Sequence, residues 1–295
     1  MGTANQELSV KSYQKQFKQL LQAVFKKQSY FADFFGGGIE ALDGVQHNAT
    51  AFSVKTSDIP VVVGSEYNKG TNVGFGTGTG NSTRFGNRTE IIYTDTDVPY
   101  TWEWVFHEGI DRHTVNNNLE DAVADRLDLQ AQAKVQAFNT HHGKFISTVA
   151  AKEVTLADFT AEKVLALFNE LSAYYVNIEA VGNKVAKVNT QLYNAIVDHP
   201  LVTTAKNSSV RIDDNGIVKF KGFTIQEIPD ALFQQGEYAY AYIENVGKAF
   251  TGINTARTIE SEDFDGKALQ GAGKAGEFIL DDNKKAVVKV KTVGE

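Results

Sequence analysis

Cysteine is absent from all 295 residues. That removes disulfide stapling, thiolate zinc sites and thiol nucleophiles together. No apolar stretch approaches the ~20 residues that a membrane helix needs, so no membrane partner is expected. The first residues, 1–6, carry neither the basic nor the apolar block of a secretory signal. Without export, the Asn-x-Ser/Thr triplets opened by Asn48, Asn81, Asn87 and Asn207 read as polar loop sequence. Positive charge is also scarce: 29 Lys and Arg face 36 Asp and Glu, leaving a net charge of −7 and a pI near 5.5. A general nucleic-acid coat gathers Lys and Arg on one face. This balance suits a surface that contains or repels nucleic acid, not one that grips it.

Catalytic signatures are missing or out of context. Gly271-Ala-Gly273-Lys-Ala-Gly276 satisfies the dinucleotide pattern G-x-G-x-x-G. That pattern works only where a buried strand leads in and a helix leads out to hold the pyrophosphate. Here the lead-in, Ser261 to Gly266, is polar and the exit, Glu277 to Leu280, is strand-like. A tight turn between strands is expected instead. The glycines from Gly74 to Gly80 lack the Gly-Lys-Ser/Thr ending of a phosphate loop. His141 and His142 are adjacent, about 100° apart on a helix, so they cannot share one metal from one face. His47, His107, His113 and His199 are scattered. Asp263 with Asp265, and Asp281 with Asp282, read as solvated turn carboxylates and not as catalytic pairs or calcium ligands. No Gly-x-Ser-x-Gly elbow occurs. The expectation is a protein that is not an enzyme, with no catalytic residue, cofactor or metal.

What the chain does have is the make-up of an ordinary folded protein, 42% apolar and 22% charged. Its length allows two compact domains or one elongated, multi-part subunit. The most informative stretch is residues 68–87, with six glycines, four threonines and four asparagines. Strand-like arms flank it. The upstream arm runs through Ile59, Val61, Val62 and Val63 to Tyr67. The downstream arm, Val98, Tyr100, Trp102, Trp104 and Phe106, places an apolar residue at every second position, the period of a half-buried strand. Pro60 and Pro99 make these edge strands. A lone two-stranded ribbon is marginal in water, so Trp102 and Trp104 on one face call for a partner surface. Lys69 opens the glycine tip, and Arg84 and Arg88 close it. Either they solubilise an exposed loop, or the arginines meet acidic patches on adjacent subunits through bidentate contacts.

The remaining pieces mix helix and strand. Residues 1–35 read as an amphipathic helix through Tyr13, Phe17, Leu20, Leu21, Val24 and Phe25, stopped at Gly36-Gly37-Gly38. It is either docked on its own core or a mobile arm. A long helix begins after Asn118, with Glu120 and Asp121 suiting its dipole. Its apolar face is Leu119, Ala122, Val123, Leu127, Ala131, Phe138 and Phe145, with Arg126, Gln130 and Lys134 out of pattern. Gly143 is expected to end or kink it. A second helix spans Thr160 to Tyr174. Then come a strand over Lys184–Val188, a short helix over Gln191–Val197, a hairpin turning at Asp214-Asn215-Gly216 between Val210–Ile212 and Ile217–Ile228, and a strand over Glu237–Ile243. The end, from Asn254 to Val293, is strand-rich.

This order of pieces resembles the Hong Kong 97-type major capsid proteins of tailed bacteriophages, with their N-arm, E-loop, spine helix, A-domain and P-domain. The wording resembles capsid proteins of siphophages infecting lactococci and streptococci. The residues that carry this likeness are Leu201-Val-Thr-Thr-Ala-Lys206, Phe220-Lys-Gly-Phe223, Tyr238-Ala-Tyr-Ala-Tyr-Ile243, Gly247-Lys-Ala-Phe-Thr-Gly-Ile-Asn-Thr-Ala-Arg-Thr-Ile-Glu-Ser261, Phe264-Asp-Gly266, Leu269-Gln-Gly-Ala-Gly-Lys274 and Asp282-Asn-Lys-Lys-Ala286.

The resemblance implies an α+β chain in four parts: an N-terminal arm over 1–56, an extended β-hairpin over 57–112, a peripheral domain with the spine helix over 113–175 and 253–295, and an axial α/β domain over 176–252. It implies hexamers and pentamers closing into an icosahedral head shell around double-stranded DNA, in the virion, after assembly in the host bacterial cytoplasm. Lys69, Arg84, Arg88, Trp102 and Trp104 become the candidate inter-subunit contacts. Some members crosslink covalently through a loop lysine; Lys69 reads as an ordinary loop lysine, so crosslinking is not expected. A separate scaffolding protein is expected because the amphipathic arm begins within a dozen residues. A portal protein and packaged DNA, held without sequence-specific binding, complete the partners. A phage tail or host-recognition structural protein using the hairpin as a recognition loop is the alternative.

Overall fold

The computed structural model describes residues 28–42, 50–57, 59–65, 67–70, 84–85, 89–115, 118–200, 211–212 and 218–292. Most of the expected N-terminal helix, the glycine tip, Arg88 and the Asp214-Asn215-Gly216 turn lie outside the described residues. The chain divides into two compact units, Val45–Pro99 and the remainder.

A short strand, β1 (Ile39–Ala41), precedes the smaller unit. Within that unit β2 (Phe52–Thr56) and β3 (Thr94–Val98) pair antiparallel, with Phe52 opposite Val98 and Thr56 opposite Thr94. The expected hairpin is there, but its strands are not the expected ones. Residues 59–65 form no strand, and Val61, Val62 and Val63 are 83–89% exposed. Pro60 removes a ladder donor, and three successive valines offer no alternation to choose between faces. Near the tip the two arms meet again: Asn68 N donates to the Arg84 carbonyl at 3.1 Å, and the Tyr67 and Phe85 rings stand edge to face at 5.1 Å. The downstream arm is interrupted at Pro99, after which Trp102 starts a separate strand in the other unit.

The larger unit continues with β4 (Trp102–Asp111), α1 (Leu119–Val149), β5 (Lys152–Leu156), α2 (Ala161–Asn177), β6 (Lys184–Val188) and α3 (Thr190–Val197). It is completed by β7 (Arg211–Ile212), β8 (Val218–Phe220), β9 (Phe223–Glu227), β10 (Glu237–Ile243), β11 (Gly247–Glu260), β12 (Gly266–Ile279) and β13 (Val287–Thr292). Two sheets form. One has the order β1-β11-β12-β4, the other β5-β13-β10-β6-β9-β8-β7.

The seven-stranded sheet is buried on both faces, and β10 shows how the sequence achieves it. Its alanines, Ala239 and Ala241, face a core completed by Leu167, Phe168 and Leu171 of α2 and Leu192 and Ile196 of α3. Its tyrosines, Tyr240 and Tyr242, face the opposite core, with Ile146 of α1 and Phe31, Phe34 and Phe35. Successive side chains point to opposite faces, so alternating Ala and Tyr serves a tight layer and a deep one. The three phenylalanines dock residues 31–35 on the core, while the helix expected before them lies outside the described residues. Gly36 and Gly37 then turn the chain at positive φ, 78° and 94°.

Three further expectations change. α1 continues through Gly143 for six more residues, because glycine there serves a close approach and not a break: a Cβ would stand 2.4 Å from the Leu232 carbonyl oxygen. The single strand expected over Ile217–Ile228 is split at Lys221 and Gly222, both at positive φ (51° and 85°), into a two-residue hairpin with Phe220 opposite Phe223. Gly271 to Gly276 form no turn; they lie inside β12, which runs between β11 and β4.

Candidate assembly interface

Strand β4 sends alternate side chains toward α1, and α1 answers with the three residues that break its apolar pattern. Arg126, Gln130 and Lys134 are four apart, hence on one stripe of the helix. Arg126 Nε and Gln130 Nε2 donate to Glu108 at 2.7 and 2.6 Å. Lys134 Nζ sits 4.1 Å from the centre of the Trp104 ring, a cation–π contact, and burial pushes the lysine's pKa down. Trp102 stacks flat on His141, with ring centres 4.0 Å apart, and meets Phe138 edge-on at 4.7 Å. Both indoles thus pack on α1 of their own subunit. The signal was present in the sequence: a polar stripe at helical spacing, matched to an aromatic and acidic strand.

Below Trp102 lies a buried carboxylate. Glu277 accepts from Trp102 Nε1 at 3.1 Å and Thr101 Oγ1 at 3.2 Å, and His142 Nδ1 lies 3.0 Å from it. Phe35 and Phe138 flank the imidazole, with ring centres 4.4 and 5.5 Å away. Burial raises the Glu277 pKa, but the hydrogen bond and charge of His142, with Trp102 and Thr101, outweigh it and hold the group below its ordinary value. A second buried pair, Lys187 Nζ to Asp33 Oδ2 at 2.8 Å, fastens the N-terminal segment to β6. Tyr242 OH donates to the other Asp33 oxygen at 3.0 Å. Burial lowers the Lys187 pKa against the pull of Asp33. Both clusters hold elements together, and their partners come from strands and helices far apart in sequence. Among the described residues no group of three His, Asp or Glu side chains is placed to hold a metal ion, and no helix is long and apolar enough to cross a membrane.

Of the other candidate contacts, Lys69 is exposed. Arg84 is half-buried; its Nη1 donates to the Asn68 carbonyl at 3.3 Å and its guanidinium lies 5.9 Å from the Tyr67 ring. Arg88 lies outside the described residues. Large apolar side chains remain uncovered on the arms of the smaller unit: Val61, Val62 and Val63 on one, and Phe85 (85% exposed), Ile91, Ile92 and Tyr93 on the other. Such a concentration is typical of an interaction surface; Val61, Val62 and Val63 belong to the upstream arm read from the sequence, whereas Phe85, Ile91, Ile92 and Tyr93 were not singled out there.

Neither a protein-family model nor a curated protein matches the sequence. Solved structures do match. The capsid of the cyanophage P-SCSP1u superposes with a TM-score of 0.70 at 11% identity, over 92% of this chain and 90% of that one. The mature capsid of bacteriophage PhiM1 gives 0.64 at 11% identity, over 92% and 89%. A virus-like particle from Pyrococcus furiosus gives 0.51 at 15% identity, over 95% and 99%. The chain therefore has the Hong Kong 97-type capsid fold.

Proposed function

We propose that the chain is the major capsid protein of a tailed bacteriophage. It assembles into hexamers and pentamers that close an icosahedral head shell around double-stranded DNA. The observation that carries this reading is the fold match over about nine-tenths of both chains to two phage capsids. The exposed apolar arms support it independently. Among the described residues, eight large apolar ones from Val61 to Tyr93 are left exposed, an arrangement a soluble monomer gains nothing from. A shell subunit makes many moderate contacts, which hold tightly together through effective concentration while each alone exchanges.

In this reading residues 1–56 are the N-terminal arm, 57–112 the E-loop, 113–175 with 253–295 the peripheral domain and 176–252 the axial domain. Lys69, Arg84 and Arg88 remain candidate contacts at the loop tip. Trp102 and Trp104, which pack on α1 of their own subunit, remain candidate inter-subunit contacts as well. A separate scaffolding protein and a portal protein are its partners, and the packaged DNA is enclosed without base-specific contacts, as the acidic balance favours. The wording of the last third supports a phage of the siphophage group that infects lactococci or streptococci. The protein's place is the virion, after assembly in the host cytoplasm.

Negative-stain microscopy of the purified protein, alone and with candidate scaffolding protein, tests the reading. Closed shells or isolated six-fold and five-fold rings are expected. Uniform monomers under both conditions would sink it and favour the tail or host-recognition alternative.

A further inference from the structure

Lys187 stands where the fold calls for an apolar side chain. It lies in β6, a central strand, opposite Tyr240 of β10 and Gln226 of β9. Val185, two residues back on the same face, belongs to the core that Phe31, Phe34, Tyr240 and Tyr242 complete. The lysine side chain is 2% exposed, and lysine is almost never buried so deeply. A buried ion pair adds little net stability over apolar residues of similar volume. Fastening the N-terminal segment to β6 therefore does not by itself account for an amine at this place.

The groups around Lys187 are those of an amide-forming centre. Asp33 Oδ2 lies 2.8 Å from Nζ, yet among the described residues no donor is aligned with that buried oxygen in hydrogen-bond geometry. The donors that reach the carboxyl both meet its other oxygen: Tyr242 O–H at 3.0 Å and Phe34 N–H at 3.1 Å. Two donors on one oxygen are what a developing oxyanion requires. Burial raises the Tyr242 pKa well above its ordinary value, so the phenol keeps its proton. Lys187 Nζ also donates to Gln226 Oε1, which orients the amine. Asn245 N and Gly247 N donate to the Asp33 and Phe34 carbonyls at 2.9 and 3.1 Å, fixing the backbone that carries the carboxyl. Burial favours the neutral, nucleophilic amine, against the opposite pull of Asp33 and the more distant Glu244. We propose that Lys187 and Asp33 condense into an isopeptide bond within one chain, tying the N-terminal segment covalently to β6. A proton passes from the ammonium to the carboxylate, giving amine and acid. A small side-chain rotation brings Nζ to about 3–3.5 Å from Cγ, the distance of attack. Nζ adds to Cγ, and the carbonyl electron pair moves onto Oδ1 under Tyr242 and Phe34. A proton then passes from Nζ to the Oδ2 hydroxyl, the Cγ–Oδ2 bond breaks with its electron pair, and the pair on Oδ1 restores the carbonyl. One amine and one acid give one amide and one water, with no oxidant or other reactant. The water leaves past Asp33, whose side chain is 22% exposed.

Intact-mass spectrometry of the purified, full-length wild type, denatured after overnight incubation, is the test. The chain should be lighter than its sequence by one water, about 18 Da. Trypsin should fail to cut after Lys187 and should release a branched fragment joining residues 28–55 to 185–206. Lys187→Met should keep its full sequence mass. Tyr242→Phe removes one oxyanion donor and should slow the reaction by about a hundredfold, read as a mixture of the two masses soon after synthesis. A wild type at its full sequence mass, cut normally after Lys187, overturns the proposal whether or not either variant folds. A loss of about 17 Da with the branch at Gln226 would mean that ammonia had left instead, and would overturn Asp33 as the partner. The proposal does not depend on the capsid reading: particles can form with or without this bond, and the mass is the same measurement on free subunits.

Discussion

At the scale of single residues, Glu277 carries a charge buried inside the fold. It is 7% exposed and gathers Thr101, Trp102 and His142. Replacing it by Gln leaves buried donors mismatched and should destabilise the subunit by about 2–3 kcal/mol, read as a lower denaturant midpoint. The pH dependence has a definite sign. The folded-state pKa of Glu277 is depressed, so its contribution is complete above the ordinary carboxylate pKa and is lost as pH falls through the lower folded value. The wild-type melting temperature should therefore drop on acidification below about pH 4, and Glu277→Gln should flatten that limb. A wild type and variant with parallel acid limbs would refute the assignment. Gly273 is the steric counterpart. A Cβ there would stand 2.4 Å from the Trp104 ring, so Gly273→Ala should cost about 1–3 kcal/mol and shift the tryptophan fluorescence as the indole is displaced.

Among elements, α1 separates intrinsic preference from packing. Gly→Ala inside a helix ordinarily stabilises by about 1 kcal/mol. At Gly143 the new methyl would meet the Leu232 carbonyl, backbone that cannot swing aside. Gly143→Ala should therefore lower the melting temperature, and a rise would show that the two backbones part easily. Local periodicity made α1, α2, α3, β6 and β10 legible from the sequence, because each has a face that must be buried. Where the deciding partner is distant, the same reasoning failed. Nothing near Trp102 announces that His141 will stack on it, and nothing near Gly143 announces Leu232. The valines at 61–63 read as strand because β-branched residues favour strands, yet no ladder partner pairs with them among the described residues. The Arg126, Gln130 and Lys134 stripe was visible, but only β4 gives it meaning.

For the whole molecule, folding and assembly should separate. Replacing Val61, Val62 and Val63 together by Ser removes exposed apolar surface that supports no core. The free subunit should keep its stability within about 0.5 kcal/mol, while sedimentation shows particles lost. A variant that unfolds would place those valines inside the fold; one that still assembles would remove them from the interface. Lys69 is exposed, and no covalent link is expected through it. Boiled particles should give a single band at 32.3 kDa, and a stable ladder would reverse that expectation.

The central place of β12 has a consequence for how the subunit exchanges hydrogen with solvent. It is hydrogen-bonded to β11 on one side and to β4 on the other along most of its fourteen residues. Its amides should take up deuterium only when the larger unit opens as a whole, whereas Val61–Val63 should label almost at once. In a mixture of free and assembled protein the β12 signal stays nearly constant and the valine signal divides into fast and slow populations. Their ratio reports the fraction of chains already incorporated, timed from within the molecule and without separating particles from subunits.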